Sequence, residues 1–191
     1  MRLFLAVPIP EDHAERLFHA LPEALPGVRR TRPEAMHVTL AFLGATSGAR
    51  SDEVEAAADV AATRTAAFSF PLDRLGRFPA EGFPRTVWAG PATGAADLEL
   101  LASRVRAELR ARRLGFDAKP FRPHVTIARI REGQAIDEAR AVAAAIASVR
   151  LELPVVRVRE IGVVESILSP RGARYIWRAS ARLRGPAVER R

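Results

Sequence analysis

The sequence predicts an α+β fold made by duplication, with one copy of a short strand motif in each half. Three observations predict it. The phrase His37-Val38-Thr39-Leu40-Ala41 returns as His124-Val125-Thr126-Ile127-Ala128, so two of the four histidines stand in nearly the same frame. Before residue 65 the segments read strand, helix, motif strand, helix; after residue 96 they read helix, motif strand, helix, strands. Finally, 191 residues that are 48% hydrophobic and 27% charged suffice for one domain of two small interleaved lobes, residues 1–191, with a real core.

Taken in order, residues 2–7, Arg-Leu-Phe-Leu-Ala-Val, form an almost continuous apolar run closed by Pro8 and Pro10, as a buried strand would. Glu11 and Asp12 then open a helix near its positive end, and Ala14, Leu17, Phe18, Leu21 and Leu25 continue a helical stripe until Pro22 kinks or ends it. Residues 28–33 are extended or turn, and Pro33 leads into the first motif strand, about 37–44, stopped by Gly44. Ser51-Asp52-Glu53 starts an alanine-rich helix that runs to about Arg64. Strands are expected at 67–72 and 86–89, joined by a loop from Arg74 to Arg85 that carries Phe78 and Phe83. A helix over 96–114 buries Leu98, Leu101, Val105 and Leu109, with Gly115 as its stop. The second motif strand reaches Ile130, a helix follows over 135–148, and the rest is strand: 151–158, 161–168 and 174–183, the last two joined by Ser169-Pro170-Arg171-Gly172. Residues 185–191 are expected to fray.

Composition removes several classes of function. Without cysteine there is no disulfide, thiolate nucleophile or Cys-based zinc site. No apolar stretch approaches ~18 residues, so neither a membrane span nor a signal peptide is expected, and the cytoplasm is the expected location. The net charge of +8 is almost entirely arginine, since Lys119 is the only lysine and asparagine is absent. Arginine and alanine in place of lysine and asparagine is the pattern that GC-rich codons give, so the charge is discounted as evidence of function, yet guanidinium groups bind phosphate whatever put them there.

Alternation sends His37 and Thr39, and likewise His124 and Thr126, to one strand face, with Ala41 and Ala128 two residues further along the same face. A lone strand histidine is usually structural; the same pair of polar types at the same offset, twice, is not. A metal site needs about three or four ligands, and no third His, Asp or Glu stands at a suitable spacing. No serine sits in a G-x-S-x-G elbow. What remains is two imidazoles as general acid and general base across one cleft, an arrangement suited to a phosphodiester, with the threonine hydroxyls on the non-bridging oxygens. Which histidine is the acid stays open on this reasoning.

These residues resemble the 2H phosphoesterases, defined by two His-x-Thr/Ser-x motifs, and within them the RNA 2′,3′-cyclic phosphodiesterases long called 2′-5′ RNA ligases. The resemblance extends over the opening Arg2-Leu3-Phe4-Leu5-Ala6-Val7, the flanks Pro33-Glu34-Ala35-Met36 and Phe42-Leu43-Gly44 of the first motif, Arg85-Thr86-Val87-Trp88-Ala89-Gly90, Phe121-Arg122-Pro123 before the second motif, and the closing stretch from Val164 to Tyr175. It implies a bilobal, pseudo-symmetric fold of two antiparallel sheets with outer helices and a central cleft, no metal and no cofactor. It also implies hydrolysis of a terminal 2′,3′-cyclic phosphate on RNA to a 2′-phosphate. By the resemblance His37 is the proton donor to the departing 3′ oxygen, His124 the acceptor that activates water, and Thr39 and Thr126 hold the phosphate.

Three further residues are substrate-binding candidates. Arg122 stands two residues before His124 and on its side, unless Pro123 disturbs the parity; Arg129 stands on the opposite face if alternation holds. Phe42 either stacks on a base or packs in the core, with core packing favoured. The Arg74 to Arg85 loop is either an RNA contact or a solvated connection. The expected partner is RNA with a cyclic phosphate end, tRNA fragments included, acted on by a monomer. The rivals are a related enzyme of 2′-5′ linked or other cyclic nucleotide diesters, RNA joining by the reverse step, and a non-catalytic binder of RNA ends.

Overall fold

The computed structural model describes residues 1–186 except Gly94, Gln134, Pro170 and Arg171. Its strands are β1 (Arg2–Pro8), β2 (Val28–Arg30), β3 (His37–Ala45), β4 (Phe68–Phe70), β5 (Arg74–Phe78), β6 (Thr86–Gly90), β7 (Val125–Ile130), β8 (Val156–Val158), β9 (Glu160–Ser169) and β10 (Gly172–Arg182). The helices are α1 (Glu11–Phe18), α2 (Ser51–Thr63), α3 (Ala96–Ala111) and α4 (Ile136–Ser148).

Strand pairing makes two interleaved lobes, β10-β9-β1-β3 and β2 with β7-β6-β5, and then fuses them. The order β10-β9-β1-β3-β7-β6-β5, with β2 also on β7, is one eight-stranded antiparallel sheet, and β4 pairs with β8 in a second sheet. The two lobes meet at a single pairing, Val38 opposite Val125, where the two motif strands touch. The two sheets expected of the lobes are therefore halves of one sheet, with the repeated phrase at the join.

The first strand is apolar throughout because both of its faces are covered. Leu3, Leu5 and Val7 enter the main core, whereas Phe4 and Ala6 join Val164 in a small second cluster on the other face. Helices cover the core side: α2 packs on β9, β10 and α3, and α3 on β3. Leu98, Leu101, Val105 and Leu109 of α3 are fully buried, as their spacing predicts, each contributing about 1.5–3 kcal/mol of transfer free energy. No helix among the described residues is long and apolar enough to cross a membrane.

Four local expectations are revised. The first helix ends at Phe18 and not at Pro22, because a proline ring clashes with the carbonyl four residues before it; Phe18 O instead accepts a hydrogen bond from Arg30. The loop expected from Arg74 begins as β5, whose strand signal is hidden by its arginines and Gly76. The strand expected from Leu151 pairs only from Val156, since Pro154 has no N–H and its carbonyl accepts from His13 Nε2 at 3.0 Å. Gly185 is not frayed: its N–H donates to Thr65 O at 3.0 Å and Arg184 N–H to Ala62 O at 3.1 Å. Residues 187–191 of the expected tail lie outside the described residues, as do the central residues of the Ser169–Gly172 turn, which Ser169 Oγ closes by donating to Gly172 O at 2.7 Å.

Candidate active site

A matching irregularity in both motif strands builds the site. Along β3, Phe42 lies opposite Phe4 and Ala41 opposite Leu5, but the next partner of Ala6 is Thr39, leaving Leu40 as the extra residue of a β-bulge. Against β6, Ala128 faces Val87 and the next partner of Trp88 is Thr126, leaving Ile127 extra. An extra residue reverses the alternation beyond it. Ala41 and Ala128 therefore turn into the core, 1% and 0% exposed, and residues 42 and 129 swing to the face of the histidines and threonines. Two expectations fall with this: the alanines do not lie on the cleft face, and Arg129 does.

His37, Thr39, His124, Thr126, Phe42 and Arg129 all line one cleft of about 700 Å³, together with Phe4, Ser166 and Tyr175. Another hollow of about 730 Å³, bordered by Pro8, Pro10, Arg157 and Arg182, contains none of the motif residues. Arg122 supplies its backbone carbonyl instead of its charge; its guanidinium lies over the Phe78 ring at 5.8 Å, outside the cleft lining. The strand begins only at Val125, so strand alternation does not reach back to Arg122.

Both imidazoles are anchored in the same way. Nδ1–H of His37 donates to Ala35 O at 2.8 Å and Nδ1–H of His124 to Arg122 O at 2.6 Å, each to the carbonyl two residues upstream. This tautomer leaves Nε2 of each ring as the reactive nitrogen, a lone pair when neutral and an N–H when charged. Ala35 is held for this by a 3₁₀ turn, Pro33–Ala35, with proline at its start.

A family model of the 2′-5′ RNA ligase superfamily matches residues 6–167, which include both motifs and the bulges after them. The chain belongs to this superfamily. Its relatives include the RNA 2′,3′-cyclic phosphodiesterase of Archaeoglobus fulgidus, 31% identical over 92% of this chain and 96% of that one. The protein of the same name from Thermus thermophilus is 37% identical over 68% of each chain. The crystal structure of the Thermus thermophilus protein TT0787 superposes with a TM-score of 0.77 at 30% identity, covering 98% of this chain and 100% of that one.

In this 2′-5′ RNA ligase superfamily member the two histidines differ in their surroundings. The His37 ring lies against Phe4, centroids 4.7 Å apart at 31°, and meets Tyr175 edge-on at 5.1 Å. His124 meets only Phe78 among the described aromatic rings, edge-on at 5.1 Å, and Phe78 is backed by Trp88 at 5.4 Å. Burial is the main cause that pushes the His37 imidazolium down to about 4; the hydrogen bond to Ala35 opposes it, and the charges of His124 and Arg129 add to it. His124 is lowered as well, first by burial and then by Arg129, against the hydrogen bond to Arg122. Arg129 thus lies close enough to act on both rings. Among the described residues no group of three or more His, Asp or Glu side chains is placed to hold a metal ion.

Sequence reasoning misses Phe4 and Tyr175 as site residues, and it sees Phe78 only as part of a loop. Phe4 is concealed in an apolar run that reads as core, and the one signal at Tyr175 is that it is the sole tyrosine. The Phe78 support has a testable consequence. A Cβ on Gly76 would lie 2.1 Å from the Trp88 ring, so Gly76→Ala must displace the tryptophan behind Phe78. We expect it to cost about 1–3 kcal/mol, measured as a lower denaturation midpoint, and to lower kcat through a loosened His124.

Proposed function

We propose that the protein hydrolyses the 2′,3′-cyclic phosphate at the end of an RNA to a 2′-phosphate, by acid–base catalysis with two histidines and neither metal nor cofactor. The observation that carries this is the pair of imidazoles lining one cleft, each with Nδ1 tied to a carbonyl and Nε2 without a hydrogen-bond partner among the described residues. The names of the relatives, which cover most of the chain, support the substrate class.

In this reading His124 Nε2 takes a proton from water as its oxygen bonds to phosphorus. The bond from phosphorus to the 3′ oxygen breaks, and His37 Nε2–H protonates that oxygen. Thr39 and Thr126 donate to the non-bridging oxygens, and the Arg129 charge balances them. The histidines leave the turnover with their proton states exchanged, and solvent restores them.

In the free enzyme His37 holds a proton poorly, so the substrate itself must load the acid. A bound diester anion raises the pKa of a neighbouring imidazole. The Phe4 face, which favours a cation, supports placing the proton on His37 and not on His124. A group that holds its proton weakly is also a strong donor once loaded. We place the enzyme in the cytoplasm as a monomer, with tRNA fragments among its candidate substrates.

The test is a panel: RNA ending in 2′,3′-cyclic phosphate, a 2′-5′ linked dinucleotide and ADP-ribose cyclic phosphate, each with and without EDTA. Preferential turnover of the RNA end to a 2′-phosphate, unaffected by EDTA, is expected. Preference for either other diester would reassign the substrate; sensitivity to EDTA would remove the metal-free mechanism; binding without any turnover would make the protein an RNA-end binder.

A further inference from the structure

Although β2 comes from the first half of the sequence it pairs with β7 of the second, and this brings Arg29 directly opposite Arg129. Opposed residues of an antiparallel pair project from the same face with Cβ atoms ~4.5–5.5 Å apart, and like charges there repel. The neighbouring arginine is consumed by the fold: Arg30 donates to the carbonyls of Phe18, Leu21 and Pro22. The side chains of Arg29 and Arg129 have no hydrogen-bond or ion-pair partner among the described residues. The carboxylate of the cleft lining, Glu34, pairs with Arg32 at 3.9 Å, so two guanidiniums are left opposed across a strand pair, an arrangement that a phosphate would relieve.

Their positions divide the work. Arg129 lines the same stretch of cleft as both histidines and both threonines, on the second motif strand itself, which puts it at the reacting phosphate. Arg29 lies one strand further out, a spacing of about 4.8 Å. From there its side chain reaches toward the hairpin of the other lobe: Nη1 is 3.5 Å from where a Cβ on Gly172 would stand, and Arg174 of the same hairpin also lines the cleft. The outer rim is thus basic on both sides, β2 on one and β10 on the other.

We propose that Arg29, with Arg174 facing it, binds the phosphodiester that joins the terminal nucleotide to the rest of the RNA, so that the enzyme reads a chain and not a lone nucleotide. This rests on the reading given under Proposed function. Guanidinium forks suit a phosphodiester, and such contacts position a strand without reading its bases.

Two substrates that share a terminal nucleotide test it: a 2′,3′-cyclic mononucleotide with a free 5′ hydroxyl, and a dinucleotide ending in the same cyclic phosphate. The parent enzyme is expected to prefer the dinucleotide. In Arg29→Ala the ratio of the two kcat/KM values falls about tenfold, chiefly through KM for the dinucleotide, and Arg29→Lys recovers part of it. Arg174→Ala lowers the ratio in the same direction. The dependence of log KM on log salt for the dinucleotide loses about 0.7 of its slope in Arg29→Ala, as expected for one phosphate contact to a single strand. An unchanged ratio in both variants would overturn the subsite while leaving the function intact. Turnover of neither substrate by the parent enzyme would overturn the function, and the subsite with it.

Discussion

His37→Ala and His124→Ala each lower kcat on RNA 2′,3′-cyclic phosphate by about 10²–10⁴-fold, measured at saturating substrate, because each removes one of two proton transfers on opposite sides of phosphorus. The double variant loses little more than the worse single one, since two groups that act as a unit are not additive. The assignment of roles is tested by changing the leaving group. A nitrophenyl phosphodiester expels an oxygen that needs no proton, so His37→Ala retains most of the parent rate on it and His124→Ala does not. The reverse pattern would exchange acid and base. It would also agree with the free enzyme, where burial leaves His37 a poor holder of a proton. Equal loss by both variants on the activated ester would count against any division of labour between the two rings.

The pairing of motifs was legible because it rests on residue identity: His37 with Thr39 and His124 with Thr126 announce themselves, and strand alternation correctly puts each pair on one face. Alternation then fails at Leu40 and Ile127, where each strand takes in an extra residue. A bulge leaves no mark in an apolar run such as Thr39-Leu40-Ala41 or Thr126-Ile127-Ala128, because both residues it turns inward are apolar whichever way they face. So Arg129 read as the wrong side of the strand, and Ala41 and Ala128 as the right one. Long-range pairing was equally hidden. Nothing local in Val28-Arg29-Arg30 says that this segment crosses to β7, and nothing in Tyr175 says that β9 and β10 carry it back to His37. Helices fared better, since the stripe of α3 is written in consecutive turns of one segment.

The other large effect belongs to the residue that the bulge delivers. Arg129→Ala lowers kcat on RNA 2′,3′-cyclic phosphate by about 10²–10³-fold, comparable to losing a preorganised donor at a developing oxyanion. A merely structural arginine would do no more than this to a rate, so the pH profile decides. Arg129 holds both imidazoles below the ordinary histidine value of 6.5, and burial does so more strongly. The parent kcat/KM, which needs one ring charged and one neutral in the free enzyme, therefore has its maximum below pH 6.5. Removing a nearby cation favours the charged form of each ring and raises both pKa values. The maximum of Arg129→Ala moves to higher pH but stays on the acid side of 6.5, because the burial remains. Arg129→Lys keeps the charge without the fork, so it restores the position of the maximum and only part of the rate. A rate loss with an unmoved profile would mean that Arg129 acts through the shape of the cleft, and a maximum displaced to lower pH would contradict the electrostatics altogether.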